Sequence, residues 1–203
     1  MLEMSSRWYT VGPWGSPRSA PVGSGAKPRL IMPRTATLVL LLAAVVILEG
    51  QPRDPALHAQ LEQLFPAATA FSPKEGAPPH FKAYVNDASG QRTLAGYAFW
   101  TTELEPLERG YDGPIQILVG VDLTGILTGI VVVRHHEPYG YFSVDTPEFA
   151  AQFVRKNIRD RFRVGQDIDA VSTATMTVTS STRAVRNAAR RIARQFLVPS
   201  ESK

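Results

Sequence analysis

The chain has 203 residues, no cysteine and a formal charge of +4. That length accommodates one ordinary domain with an appendage, and the missing thiols exclude cysteine nucleophiles, cysteine-ligated iron–sulfur clusters, c-type haem attachment and zinc–thiolate sites. Five basic residues (Arg7, Arg18, Lys27, Arg29, Arg34) and one acid, Glu3, precede Thr35, leaving 17 charges of each sign in the remainder. The charge belongs to the leader, so nucleic-acid binding is not expected.

Residues 1–34 are rich in Ser, Gly, Pro and Arg without a sustained period, which predicts an unstructured leader. Residues 35–48, TATLVLLLAAVVIL, carry no charge. As a helix they span about 21 Å, short of the ~30 Å hydrocarbon core, so they read as the apolar region of a signal peptide or as an uncleaved anchor. Met32 opens an alternative start, MPR followed by the apolar run. Cleavage near Leu57-His58-Ala59 and retention both stay open. The basic flank holds the N-terminus inside and places the rest outside the cytoplasm, on the periplasmic face of the membrane.

Beyond this segment the pattern predicts one α+β domain over residues 55–198, an antiparallel sheet with helices packed on it. Leu57, Leu61 and Leu64 lie at helical spacing in the segment 54–70, with Pro66 closing the helix. Strands are expected over His80–Val85 and Thr93–Thr101, joined by a turn around residues 86–90. A loop bearing Glu103, Glu105 and Glu108 leads to a clearer hairpin, Ile115–Val121 and Ile126–Arg134, around Asp122-Leu123-Thr124-Gly125. Thr146-Pro147-Glu148 signals a helix start, with Phe149, Phe153 and Ile158 as its buried face. A final helix is expected from about Ser181 or Thr182, burying Val185, Ala188, Ala189, Ile192, Ala193 and Phe196.

Three places offer chemistry. Residues 169–182, DAVSTATMTVTSST, pack hydroxyl side chains just ahead of that last helix, whose N-terminal N–H groups and dipole suit a phosphate. The same pattern also suits a Thr-rich edge strand running into an ordinary Ser/Thr cap. His135-His136-Glu137-Pro138 ends a strand. Neighbouring side chains there face opposite ways, which argues against a metal site and leaves an imidazole and a carboxylate to act as an acid/base pair or to orient a cofactor, or simply polar residues at an exposed strand end. Gly110-Tyr111-Asp112-Gly113-Pro114 permits close backbone approach beside an aromatic ring, or is a tight turn into the hairpin.

Taken together, GYDGP at 110–114, the hairpin and HHEP at 135–138 resemble the periplasmic flavin domain of NosR-type proteins. The stretch Asp169 to Thr177 is similar to the flavinylation motif of that family and of the flavin subunits of the Rnf complex and the sodium-translocating NADH:quinone reductase. In those proteins D-x-x-S-G-A-T-x-T carries FMN through a phosphoester on its last threonine. The resemblance covers about residues 55–198 and implies FMN on Thr177. It implies hydrogen bonds to the phosphate from Ser172 and Thr175, neighbouring motif residues Thr173, Ala174 and Met176, and a pocket wall of Tyr111, His136 and Glu137. It also implies a flavin transferase for attachment and redox partner proteins at a membrane. Thr173 stands where the motif has glycine; if that position takes positive φ, a β-branched residue costs ~1–2 kcal/mol. Thr179 is the alternative acceptor if the register shifts. The expected role is an exported, membrane-associated electron carrier with no catalytic or metal-binding residues of its own. The alternative is a flavin-free adaptor or sensor of the same fold attached to a membrane redox complex.

Overall fold

The computed structural model describes residues 54–197. The leader and the apolar segment 35–48 lie outside that range, and no helix among the described residues is long and apolar enough to cross a membrane. Helix α1, Pro55–Leu64, starts where Asp54 accepts a 2.9 Å bond from the Ala56 N–H and Pro55 presets the first φ. It stops two residues before Pro66, as the restriction on residues preceding proline demands. Leu61 and Leu64 are buried.

Five antiparallel strands follow in simple meander order: β1 Ala70–Phe71, β2 Phe81–Asn86, β3 Arg92–Trp100, β4 Gln116–Asp122 and β5 Leu127–Arg134. The last four match the expected strands to within a residue or two. Strand β1 is additional: past Pro66 the chain extends, and Ala70 and Phe71 pair with Tyr84 and Ala83 at the sheet edge. The β4–β5 turn is held by Asp122, whose Oδ1 accepts from the N–H groups of Thr124 and Ile126. Helix α2, Thr101–Leu104, converts the expected end of β3 into a single turn. Buried Thr101 there donates to the Ile115 carbonyl and accepts from the Ile117 N–H, clamping the entry to β4.

Alternation along β3 and β4 sends side chains to two cores. Phe99, Ile117, Val119 and Val121 join Val178, Val185, Ala188 and Ile192 of the last helix on one face. Ala98, Trp100 and Leu118 meet Leu61, Leu64 and Phe65 on the other. Gly120 lets α1 approach this second face, since a Cβ there would press on Leu64, Phe65 and the Thr128 hydroxyl.

After β5 come a 3-10 turn, Gly140–Phe142, and a short helix α3, Pro147–Ala151, capped by Thr146 accepting from the Phe149 N–H at 3.2 Å. The longer helix expected here does not form. Phe149 is buried on α3, but Phe153 and Ile158 reach the core from irregular chain beyond it. That chain pairs instead with the start of β5 through Leu127 N–H to Lys156 O and Arg155 N–H to Leu127 O. Further on, burial pushes the Asp167 carboxyl upward, but bonds from the Arg163 and Phe162 N–H groups outweigh it and hold the group below its ordinary range.

The last helix, α4, runs Thr175–Phe196 and so begins about six residues earlier than expected. Its apolar stripe extends upstream through Val178 to Ala174, within the run of hydroxyls. Burial of that stripe overrides the weak helix propensity of Ser and Thr. Its arginines hold the surrounding loops: Arg183 pairs with Glu108, Arg190 bonds the carbonyls of Ile158 and Asp160, and Arg191 bonds that of Leu104.

Candidate cofactor site

Because α4 begins at Thr175, Thr177 is its third residue and sits inside the first turn rather than ahead of it. The side chain is buried, at 3% exposure, and its hydroxyl bonds Glu137 Oε2. Glu137 is itself buried at 6%. Its two oxygens also accept the backbone N–H groups of Tyr111 (3.0 Å) and Asp112 (2.9 Å). Three segments far apart in sequence therefore converge on one carboxylate. Gly110 makes room for it, since a Cβ at that position would overlap the carboxylate atoms.

Thr177 also borders a cavity of about 330 Å³, lined by Tyr111, Pro138, Tyr139, Thr173, Thr175 and Met176 as well. Its rim holds large exposed side chains: Tyr111, Tyr139 and Met176 are all about half exposed or more. Aromatic and thioether groups left open at the mouth of a cavity suit a flat fused-ring ligand. Between the lining residues Thr173 and Thr175, the α4 cap residue Ala174 offers no side-chain acceptor, and the first turn carries no acid. The leading N–H groups of the helix thus lack an internal partner and favour an anion.

Of the expected site residues, the structure brings together Thr177, Thr173, Thr175, Met176, Tyr111 and Glu137. Ala174 is the buried cap residue of α4 and does not itself line the cavity. Ser172 is exposed and does not line the cavity. His136 is exposed and lines a separate cavity with Thr102, Pro114, Gln116 and Arg134. Its neighbour turns inward instead. His135 Nδ1 accepts the Glu137 N–H at 3.0 Å, so the ring proton lies on Nε2 and is donated to Asp145 at 2.7 Å. Thr179 faces two other cavities, lined by Arg183 with Arg163 and Arg186 in one and Arg109 in the other. Asp145 and Tyr139 carry no sequence signal that marks them for the site, whereas His135 and Pro138 stand in the HHEP stretch without a role assigned to either. Alternation along a strand separates the two histidines but carries no information on which of them faces inward.

Thr173 adopts φ of +69°. The condition attached to the missing glycine is therefore met, and a β-branched side chain sits in the left-handed region. Thr173→Gly relieves ~1–2 kcal/mol of strain against roughly 0.5–1 kcal/mol of added unfolded-state entropy. The net gain of about 0–1.5 kcal/mol is expected to raise Tm by up to about 6 °C in a thermal melt; a fall would show that the threonine is not strained.

Comparison with known proteins agrees with this geometry. Residues 110–190 match the FMN-binding domain. Both the carboxylate cluster and the cavity lie within that stretch. A curated relative, one of the subunits of the ion-translocating oxidoreductase complex of Yersinia pestis, is 37% identical over 90 residues, which cover 39% of this chain and 43% of that protein. The chain thus spans less than half the length of the relative it matches. FMN is the cofactor of this flavin domain. The site fits it: an uncapped helix N-terminus and a hydroxyl for the phosphate, beside a cavity with an aromatic rim.

Proposed function

We propose that this chain is an exported, membrane-associated flavoprotein that relays electrons, closest to the NosR type, with FMN joined to Thr177 through a phosphoester. The observation that carries the reading is the Thr177 hydroxyl, buried at the first turn of α4 and bordering the one cavity among those described that combines it with Tyr111 and Tyr139. FMN supplies reversible one- and two-electron transfer when bound. The protein's own groups then do the rest. The first turn of α4 binds the phosphate, the aromatic rim shields the ring from water, and Glu137 fixes the position of Thr177. The chain has no cysteine for an iron–sulfur cluster, so on this reading electrons enter and leave through partner proteins. The relative's name places that protein in an ion-translocating oxidoreductase complex, and a membrane complex of that kind is the proposed partner here. A flavin transferase is the proposed partner for attachment.

A flavin-free adaptor of the same fold is the rival, and the strained Thr173 is the observation in its favour. Co-expression with a flavin transferase, in a host known to label another acceptor, separates the two. The carrier reading expects yellow protein, heavier by one FMN less water, whose visible band bleaches on reduction and returns in air. Colourless protein of unshifted mass selects the adaptor.

A further inference from the structure

The Thr177 hydroxyl is committed to a carboxylate, and that pairing has a chemical meaning. An ionised carboxylate is acceptor-only, and both Glu137 oxygens already take backbone N–H bonds from Tyr111 and Asp112. The proton in the contact between Thr177 Oγ1 and Glu137 Oε2 therefore belongs to Thr177. With its hydrogen directed at Glu137, Oγ1 keeps its lone pairs for the cavity that Thr177 borders. This is the arrangement of a hydroxyl nucleophile and its base.

The support around Glu137 is more than a fold needs to bury one carboxylate. Gly110 is bare where any Cβ would strike the carboxylate. The His135 ring holds the Glu137 backbone N–H and is anchored by Asp145. Gly140 is bare in turn where a Cβ would strike the His135 ring. Each of these contacts fixes the carboxylate against Thr177.

We propose that Glu137 is the general base for flavin attachment, a catalytic residue that the acceptor domain itself contributes to a reaction driven by its transferase. The proposal rests on the reading of Thr177 as the attachment point. The donor is a flavin dinucleotide. As Oγ1 bonds to the flavin-side phosphorus, the phosphoanhydride bond breaks and the second nucleotide leaves as its monophosphate. The Thr177 proton passes to Glu137 Oε2. No electrons change hands. Glu137 ends the step neutral beside the single negative charge of the new phosphodiester, which avoids setting two anions against each other in a buried place.

The test is attachment rate, followed by intact mass, with purified transferase, FAD and Mg²⁺, for wild type, Glu137→Gln and Glu137→Asp, each checked for folding by circular dichroism. A base contributes about 10²–10⁴-fold. Glu137→Gln is therefore expected to lower kcat for attachment by at least about 100-fold while KM for the acceptor domain stays within a small factor. Glu137→Asp keeps a carboxylate at shorter reach and is expected to be faster than Glu137→Gln. A structural role predicts the reverse order, since Gln preserves length and Asp does not. Glu137→Gln at the wild-type kcat, or Glu137→Asp no faster than Glu137→Gln, overturns the proposal. If Gln fails to fold, Asp decides: a folded Asp variant with no attachment counts against the base. Wild type that stays unlabelled while a control acceptor is labelled refutes the attachment reading itself.

Discussion

Thr177→Val is expected to yield a folded protein with no attached FMN. Valine keeps the shape of threonine and replaces Oγ1 with a methyl group, so the first turn of α4 and its contact with the sheet survive. Glu137 loses one bond but keeps those from the Tyr111 and Asp112 N–H groups. The stability cost is therefore about that of one hydrogen bond to a charged group, roughly 1.5–3 kcal/mol. The effect on attachment is total because no neighbouring hydroxyl replaces it. Thr175 is exposed and directs its hydroxyl at the Val171 carbonyl, and Thr179 lies over different cavities. Thr179→Val is accordingly expected to keep its flavin. Intact mass of both variants after co-expression with the transferase checks the pair; loss in Thr179→Val and retention in Thr177→Val would move the site by one register.

Phe153→Ala is expected to cost about 3–5 kcal/mol, the range for a fully buried phenylalanine. Phe153 has no exposed surface, although it lies past the end of α3. Its ring packs edge-on to Phe149 at 5.2 Å and against Phe162 at 6.2 Å, in the core shared with Val178 and Val185 of α4. Residues 152–174 form no helix or strand, so buried rings fix their course between α3 and α4. Emptying that position loosens the segment that leads into Thr173 and Thr175. Denaturant unfolding measures the loss; a change under about 1 kcal/mol would mean that the loop is anchored elsewhere.

The sheet is legible in the sequence because its strands are short apolar runs rich in β-branched and aromatic residues and its turns are marked: Asp122 and Gly125 in the hairpin and the polar run before Arg92 both stand where the chain reverses. The stretch 169–177 is legible as a spacing that resembles a flavinylation motif. The start of α4 is hidden for a physical reason. Ser and Thr compete for backbone bonds and usually mark caps, whereas Thr177, Ser180, Ser181 and Thr182 are buried within this helix. Only Ala174 and Val178, in step with Val185, hint at the longer stripe. Glu137 is legible as a candidate for the pocket wall, but it is not among the residues lining the cavity, and its partners are hidden because Tyr111 and Thr177 meet it across 26 and 40 residues of chain. Nothing local distinguishes His136, expected in the pocket wall, from His135. The bonds to Asp145 and to the Glu137 N–H decide between them, and these depend on the 3-10 turn at Gly140.

The most direct measurement is peptide mapping of the protein isolated from its own cells, with its visible spectrum taken first. The account predicts one peptide spanning residues 164–183 that carries a single FMN, with fragmentation placing the mass on Thr177. The same stretch found bare, in colourless protein that releases no flavin on denaturation, would contradict it.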